Sequence, residues 1–128
     1  MNKTSSHILR IGLAITFIWI GILIFREPEA WGSYILPWAV ELLPMPIKEI
    51  VMGTAVLDIA IGIFLLIRPV VWIASLLGSV HLIMVLITSG INEGTVRDIG
   101  LLAGIVALMI DSLPQTITAR IKSWGRSN

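Results

Sequence analysis

Two side chains in this sequence sit where side chains of their type are expensive. Asp58 lies within an apolar stretch over 47–67, and His81 within another over 70–89. An aspartate at the centre of a bilayer costs roughly 2.5–3.5 kcal/mol on insertion scales, so it persists when it is paired, protonated or used. Asp58 precedes Arg68 by ten residues and His81 follows Pro69 by twelve. At about 1.5 Å of rise per residue, both stand roughly 15–18 Å from the turn between their segments. They share a level, and an Asp–His contact follows if the two helix faces meet. Such a pair can take up and release a proton beside a small ligand, and a quinone headgroup is the ligand that suits it. The plainer reading is a neutral carboxyl bonded to a helix, with His81 satisfied by a hydroxyl or a carbonyl.

Other polar residues fall at the ends of the apolar stretches. Arg26, Glu27, Glu49, Arg97 and Asp98 are expected together at one rim, with Glu49 and Arg97 as secondary ligand-binding candidates. A solvated, salt-bridged rim is the stronger reading of that cluster. Asp98 also suits the positive end of a helix that opens there. Arg10 lies one turn inside the first apolar stretch, within reach of lipid phosphates. His7 and His81 differ in expected depth by more than a helical turn, which argues against a bis-histidine haem. No His/Asp/Glu repeat has metal-ligand spacing, so no metal is expected. Cysteine is absent, which removes thiolate catalysis, disulfide exchange and cysteine-held clusters together. There is no glycine-rich phosphate loop and no nucleophile elbow.

The elements that must position Asp58 and His81 follow from composition and hydropathy. The chain has 128 residues, of which 56% are hydrophobic and 13% charged, and a mean hydropathy of +0.95. Soluble domains average about 25% charged residues, so too little polar surface remains to cover a globule in water. A span of bilayer core needs about 20 mostly apolar helical residues. Four stretches meet or approach that length, over 8–25, 47–67, 70–89 and 96–113. The fourth is the weakest, and Arg97 must reach outward for it to span. The first resembles a signal sequence, but Phe25-Arg26-Glu27-Pro28-Glu29 ends it without a small-residue cleavage site, so it reads as a retained anchor. The expected fold is all-α, a transmembrane four-helix bundle forming one domain over 1–128. Only Arg68-Pro69 separates the second and third spans, which forces an antiparallel hairpin.

Between the first two spans, Trp31, Tyr34, Pro37, Trp38, Pro44 and Pro46 predict an interfacial segment with a short helix over 38–43. After Pro114, the spacing of Ile117, Ile121 and Trp124 among Arg120, Lys122 and Arg126 predicts a short basic helix on the inner leaflet; a frayed tail is the alternative for its last residues. With the N-terminus inside, Lys3, Arg10, Arg68, Arg120, Lys122 and Arg126 fall inside, against Arg26, Lys48 and Arg97 outside. That bias places both ends on the cytoplasmic side of a plasma membrane. In lipid, small residues let helices approach. Thr54, Ala55, Asp58 and Gly62 share one face, as do Ala74, Gly78, His81 and Thr88. Gly100 and Gly104, continued by Ala103 and Ala107, are expected to mark internal packing of the fourth span.

These residues resemble the DoxX family of small membrane proteins. The resemblance is carried by Arg10-Ile-Gly-Leu-Ala-Ile-Thr-Phe-Ile-Trp-Ile-Gly21 with Phe25 and Pro28-Glu29-Ala30-Trp31. It continues in Gly53, Asp58, Gly62 and Leu65-Leu66, and in Asn92-Glu-Gly-Thr-Val-Arg97-Asp98-Ile-Gly100-Leu-Leu. It covers the chain to about Leu113. It implies a four-helix transmembrane bundle and a link to quinone-dependent redox chemistry, as in a membrane subunit of a thiosulfate:quinone oxidoreductase, or to oxidative-stress assemblies. Two positions depart from the family pattern. Ile24 stands where a basic residue is common, and Asp58 stands where the longer Glu is more frequent, so polar contacts are lost or shortened there.

The reading that emerges is a membrane subunit supporting redox chemistry near a quinone. The chain offers no electron carrier of its own, so a redox partner protein is implied. The bilayer itself is the other partner, and the net charge of +1 gives no reason to expect nucleic acid. Two alternatives stay open. One is a non-catalytic scaffold in which the polar pair fixes helix register. The other is a pathway for protons or small solutes, which needs polar groups running to both surfaces.

Overall fold

A computed structural model describes residues 1–127 and is all-helical over them. Seven α-helices follow one another: α1 (Lys3–Arg26), α2 (Pro28–Gly32), α3 (Pro37–Glu41), α4 (Ile47–Leu65), α5 (Val71–Ser89), α6 (Val96–Ser112) and α7 (Gln115–Ser127). A 3₁₀ turn, Arg68–Val70, leads directly into α5. Two helical stretches, α1 and the continuous Arg68–Ser89, are long and apolar enough to cross a membrane. Of the other long helices, α4 has 19 residues but carries Lys48, Glu49 and Asp58, and α6 has only 17.

The four long helices form a ring in which each packs against the next, α1 on α4, α4 on α5, α5 on α6 and α6 on α1. Neighbours run antiparallel. Their shared core contains Leu13, Phe17, Ile61, Leu65, Leu82, Ile105 and Leu108. Ile11, Ile15, Trp19, Leu76, Val80 and Ile110 point outward from the same helices. Apolar residues on both faces are what a helix presents when it packs on one side and meets an apolar medium on the other.

The α1–α4 contact is the closest. Ala14 and Gly21 on α1 stand seven residues apart, as do Ala55 and Gly62 on α4. A Cβ added at Gly62 would lie 2.8 Å from the carbonyl oxygen of Ala14, and one at Gly21 would lie 2.8 Å from that of Ala55. The match is reciprocal, and backbone meets backbone at both ends. At the hairpin end Arg10 donates to the Leu65 carbonyl at 3.1 Å, satisfying an oxygen in the last turn of α4. On the other side of the ring, Gly78 of α5 forms a notch that Ile105 of α6 fills.

Three expectations are corrected. The loop after α1 holds two short helices, α2 and α3, rather than one over 38–43; Pro28 and Pro37 each occupy a first helical position, where the missing N–H costs nothing. The first helix begins at Lys3, where the Asn2 side chain accepts from the Ser5 N–H at 2.7 Å and caps it. Gly100, Ala103 and Ala107 face away from the ring, and a Cβ at Gly100 would meet nothing within 4 Å. Gly104 does pack inward, against Leu9 and Leu13 of α1, and the buried line of α6 is Asp98, Ile105 and Leu108. Bulky residues fill that side because the small residues that admit them are on α5.

Candidate functional site

Asp58 is on the α4 face that carries Ala55 and Gly62, so the close α1–α4 approach draws it inward. It is 4% exposed. His81 is on the α5 face that carries Ala74 and Gly78. Its Nε2 lies 3.0 Å from Oδ1 of Asp58. The two antiparallel helices thus bring the predicted pair into contact at a common level. With the carboxylate ionised, Nε2–H donates to it and the neutral ring keeps its lone pair on Nδ1.

A third titratable group joins them. Asp98 is buried, and together with Asp58 and His81 it bounds a cavity of about 50 Å³ that Phe17, Ile20, Trp31, Leu82, Val85 and Leu101 complete. The position of Asp98 is set by the α5–α6 loop. Gly90 ends α5 at φ +67°, which a side chain would resist. Asn92 then accepts from the N–H groups of Gly94 at 2.8 Å and Thr95 at 3.1 Å, and the Thr95 hydroxyl donates to the Gly90 carbonyl. These bonds fix the first turn of α6, from which Asp98 points into the ring.

His81 and Asp98 also form the polar end of a larger groove of about 640 Å³ between the α2–α3 segment, α4 and α5. Trp31, Tyr34 and Trp38 wall it at one end. Leu57, Leu77, Val80 and Met84 line its flank and are themselves exposed, so the groove opens sideways along the α4–α5 surface. The Leu36 N–H donates to the Thr88 carbonyl at 2.8 Å, which pins the aromatic segment over the end of α5. The groove can hold an elongated apolar molecule whose polar head reaches His81 and Asp98.

The remaining candidates lie apart. Glu49 is exposed on the first turn of α4 and Arg97 is exposed beside Asp98. The Arg97 guanidinium lies over the Trp31 ring, 5.2 Å from its centroid. The expected ion-paired rim is not formed: the two ion pairs among the described residues are His81–Asp58 and the Met1 ammonium with Asp111 at 3.3 Å. Arg26, Glu27 and Glu49 are solvated individually, whereas Asp98 turns inward because it shares the buried line of Ile105 and Leu108. Sequence reasoning placed Asp98 at the rim. Its seven-residue spacing from Ile105 puts both on one helix face, but only the packing of Ile105 shows that this face turns inward. Among the described residues no group of three His, Asp or Glu side chains could hold a metal ion. Compared with protein-family models, curated proteins and solved structures, the chain matches none.

Proposed function

We propose that this chain is a multi-pass membrane protein that binds a lipophilic, quinone-type molecule and supports redox chemistry carried out with a partner protein. In this reading α1, α4, α5 and α6 all cross the bilayer, with both termini on the cytoplasmic side of the plasma membrane. A helix of 17 residues spans about 26 Å, so α6 crosses a core of about 30 Å only with its flanking residues reaching to the interface.

The observation that carries the proposal is the groove. It is mainly apolar, open on the α4–α5 flank, and presents His81 and Asp98, with His81 bonded to Asp58. A quinone ring brings two carbonyl oxygens, which need donors, and its reduced form brings two hydroxyls, which need acceptors. An imidazole bonded to one carboxyl, with a second carboxyl lining the same cavity, can serve both states by moving one proton. Asp58 acts through His81, since it lines the inner cavity and not the groove. The resemblance to the DoxX family points the same way.

The test is purification of the full chain from native membranes, followed by mass spectrometry of bound quinone and of copurifying proteins. Asp58→Asn should abolish quinone retention. Retention equal to that of the parent chain removes Asp58 from the site. A scaffold role is the second reading, and the burial of Asp58 against His81 favours it. There the same variant leaves partner copurification intact and no quinone is found in either chain.

A further inference from the structure

At the end of the ring opposite the groove, three basic side chains meet. The Arg10 guanidinium lies 3.1 Å from Nδ1 of His7, and that of Arg68 lies 2.7 Å from Nε2 of the same ring. They come from α1 and from the turn before α5, 61 residues apart in sequence for the His7–Arg68 contact. Arg10 is held from behind by its bond to the Leu65 carbonyl.

The donor count does not close. Guanidinium groups only donate, and a neutral imidazole has one lone pair. If Nε2 accepts from Arg68, Nδ1–H faces Arg10; if Nδ1 accepts from Arg10, Nε2–H faces Arg68. Either tautomer sets N–H against N–H. No carboxylate among the described residues is paired with any of the three; the nearby acid at this end, Asp111, is paired with the Met1 ammonium. Two cations and a ring N–H with one acceptor missing form a complement to an oxyanion.

We infer that His7, Arg10 and Arg68 together hold a phosphate group, with one oxygen accepting from the ring N–H and the guanidinium it faces and another from the second guanidinium. Paired N–H donors on planar guanidiniums match phosphate oxygens. The site is distinct from the groove and does not depend on its ligand. The chemistry is shared by the phosphodiester of an anionic lipid and by free phosphate.

Native mass spectrometry of the full chain in detergent, with equal phosphatidylglycerol and phosphatidylcholine, separates these. The parent chain should retain phosphatidylglycerol preferentially. Arg68→Gln, at an exposed turn residue, should lower that retention about tenfold, the loss of one charge-assisted bond. His7→Ala should lower it as well, whereas Arg126→Gln on α7 should not. If added inorganic phosphate displaces the lipid, or broadens its own ³¹P signal with the parent chain but not with Arg68→Gln, free phosphate is a ligand of the same site. Lipid retention unchanged in Arg68→Gln and His7→Ala, with no phosphate effect, overturns the inference.

Discussion

The Asp58–His81 bond joins a proton donor to an acceptor within an apolar ring, and its holding of the helices separates by substitution from the proposed handling of a proton. Asn in place of Asp58 retains an oxygen that accepts from Nε2–H. Its unfolding free energy should stay within about 1 kcal/mol of the parent. Leu at the same position leaves the imidazole unpartnered and should cost about 1–3 kcal/mol. Thermal unfolding in detergent reads both, and equal losses for Asn and Leu would show that charge rather than the hydrogen bond holds the pair. Asp98→Asn tests the third group. With its carboxyl facing the groove, the variant should weaken quinone retention about tenfold while leaving stability nearly unchanged, since its side chain has no hydrogen bond or ion pair among the described residues. Retention at the parent level would reduce Asp98 to a wall of the cavity.

Among the elements, the α1–α4 pair controls where Asp58 points. Gly62→Val forces side-chain atoms against the Ala14 carbonyl, where even a Cβ has only 2.8 Å. Overpacking of this kind costs about 1–3 kcal/mol, and because backbone is the obstacle the helices must separate. The change should lower the melting temperature and weaken ligand retention together. Gly100→Ala is the contrasting case. Its Cβ meets nothing, so the gain in helix propensity, about 0.5–1 kcal/mol, should appear without cost. A destabilised Gly100→Ala would mean that the outward small stripe of α6 is covered by something in the membrane. Gly90 closes α5 at positive φ, so Gly90→Ala should cost about 1–2 kcal/mol and displace the first turn of α6 with Asp98.

The whole molecule has two unlike ends. One gathers Arg10, His7 and Arg68; the other gathers the aromatic segment, which walls the groove, and Trp31 under Arg97. The absence of cysteine gives a clean background for testing which end faces which compartment. Ser33 and Ser123 are both exposed. A single Ser33→Cys should react with a membrane-impermeant maleimide in intact cells, and Ser123→Cys only after permeabilisation. Labelling of both in intact cells, or of neither, would contradict the proposed topology. The α7 helix, with Ile121 and Trp124 exposed between basic residues, suits the inner leaflet under the same orientation.

Hydropathy and proline placement determined the long helices to within a few residues at most ends, because an apolar stretch and its breakers act locally. The level of Asp58 and His81 was also legible, since a two-residue link between antiparallel helices leaves one register available. What only the tertiary structure decided was which face of each helix turns inward. Gly100 and Gly62 are the same residue in similar surroundings, yet one faces out and the other meets a backbone carbonyl, because facing depends on the partner helix and not on local sequence. Asp98 followed the same rule. It belongs to the site and not to the rim because Ile105 fits the notch at Gly78, which rotates α6 and carries Asp98 inward with it.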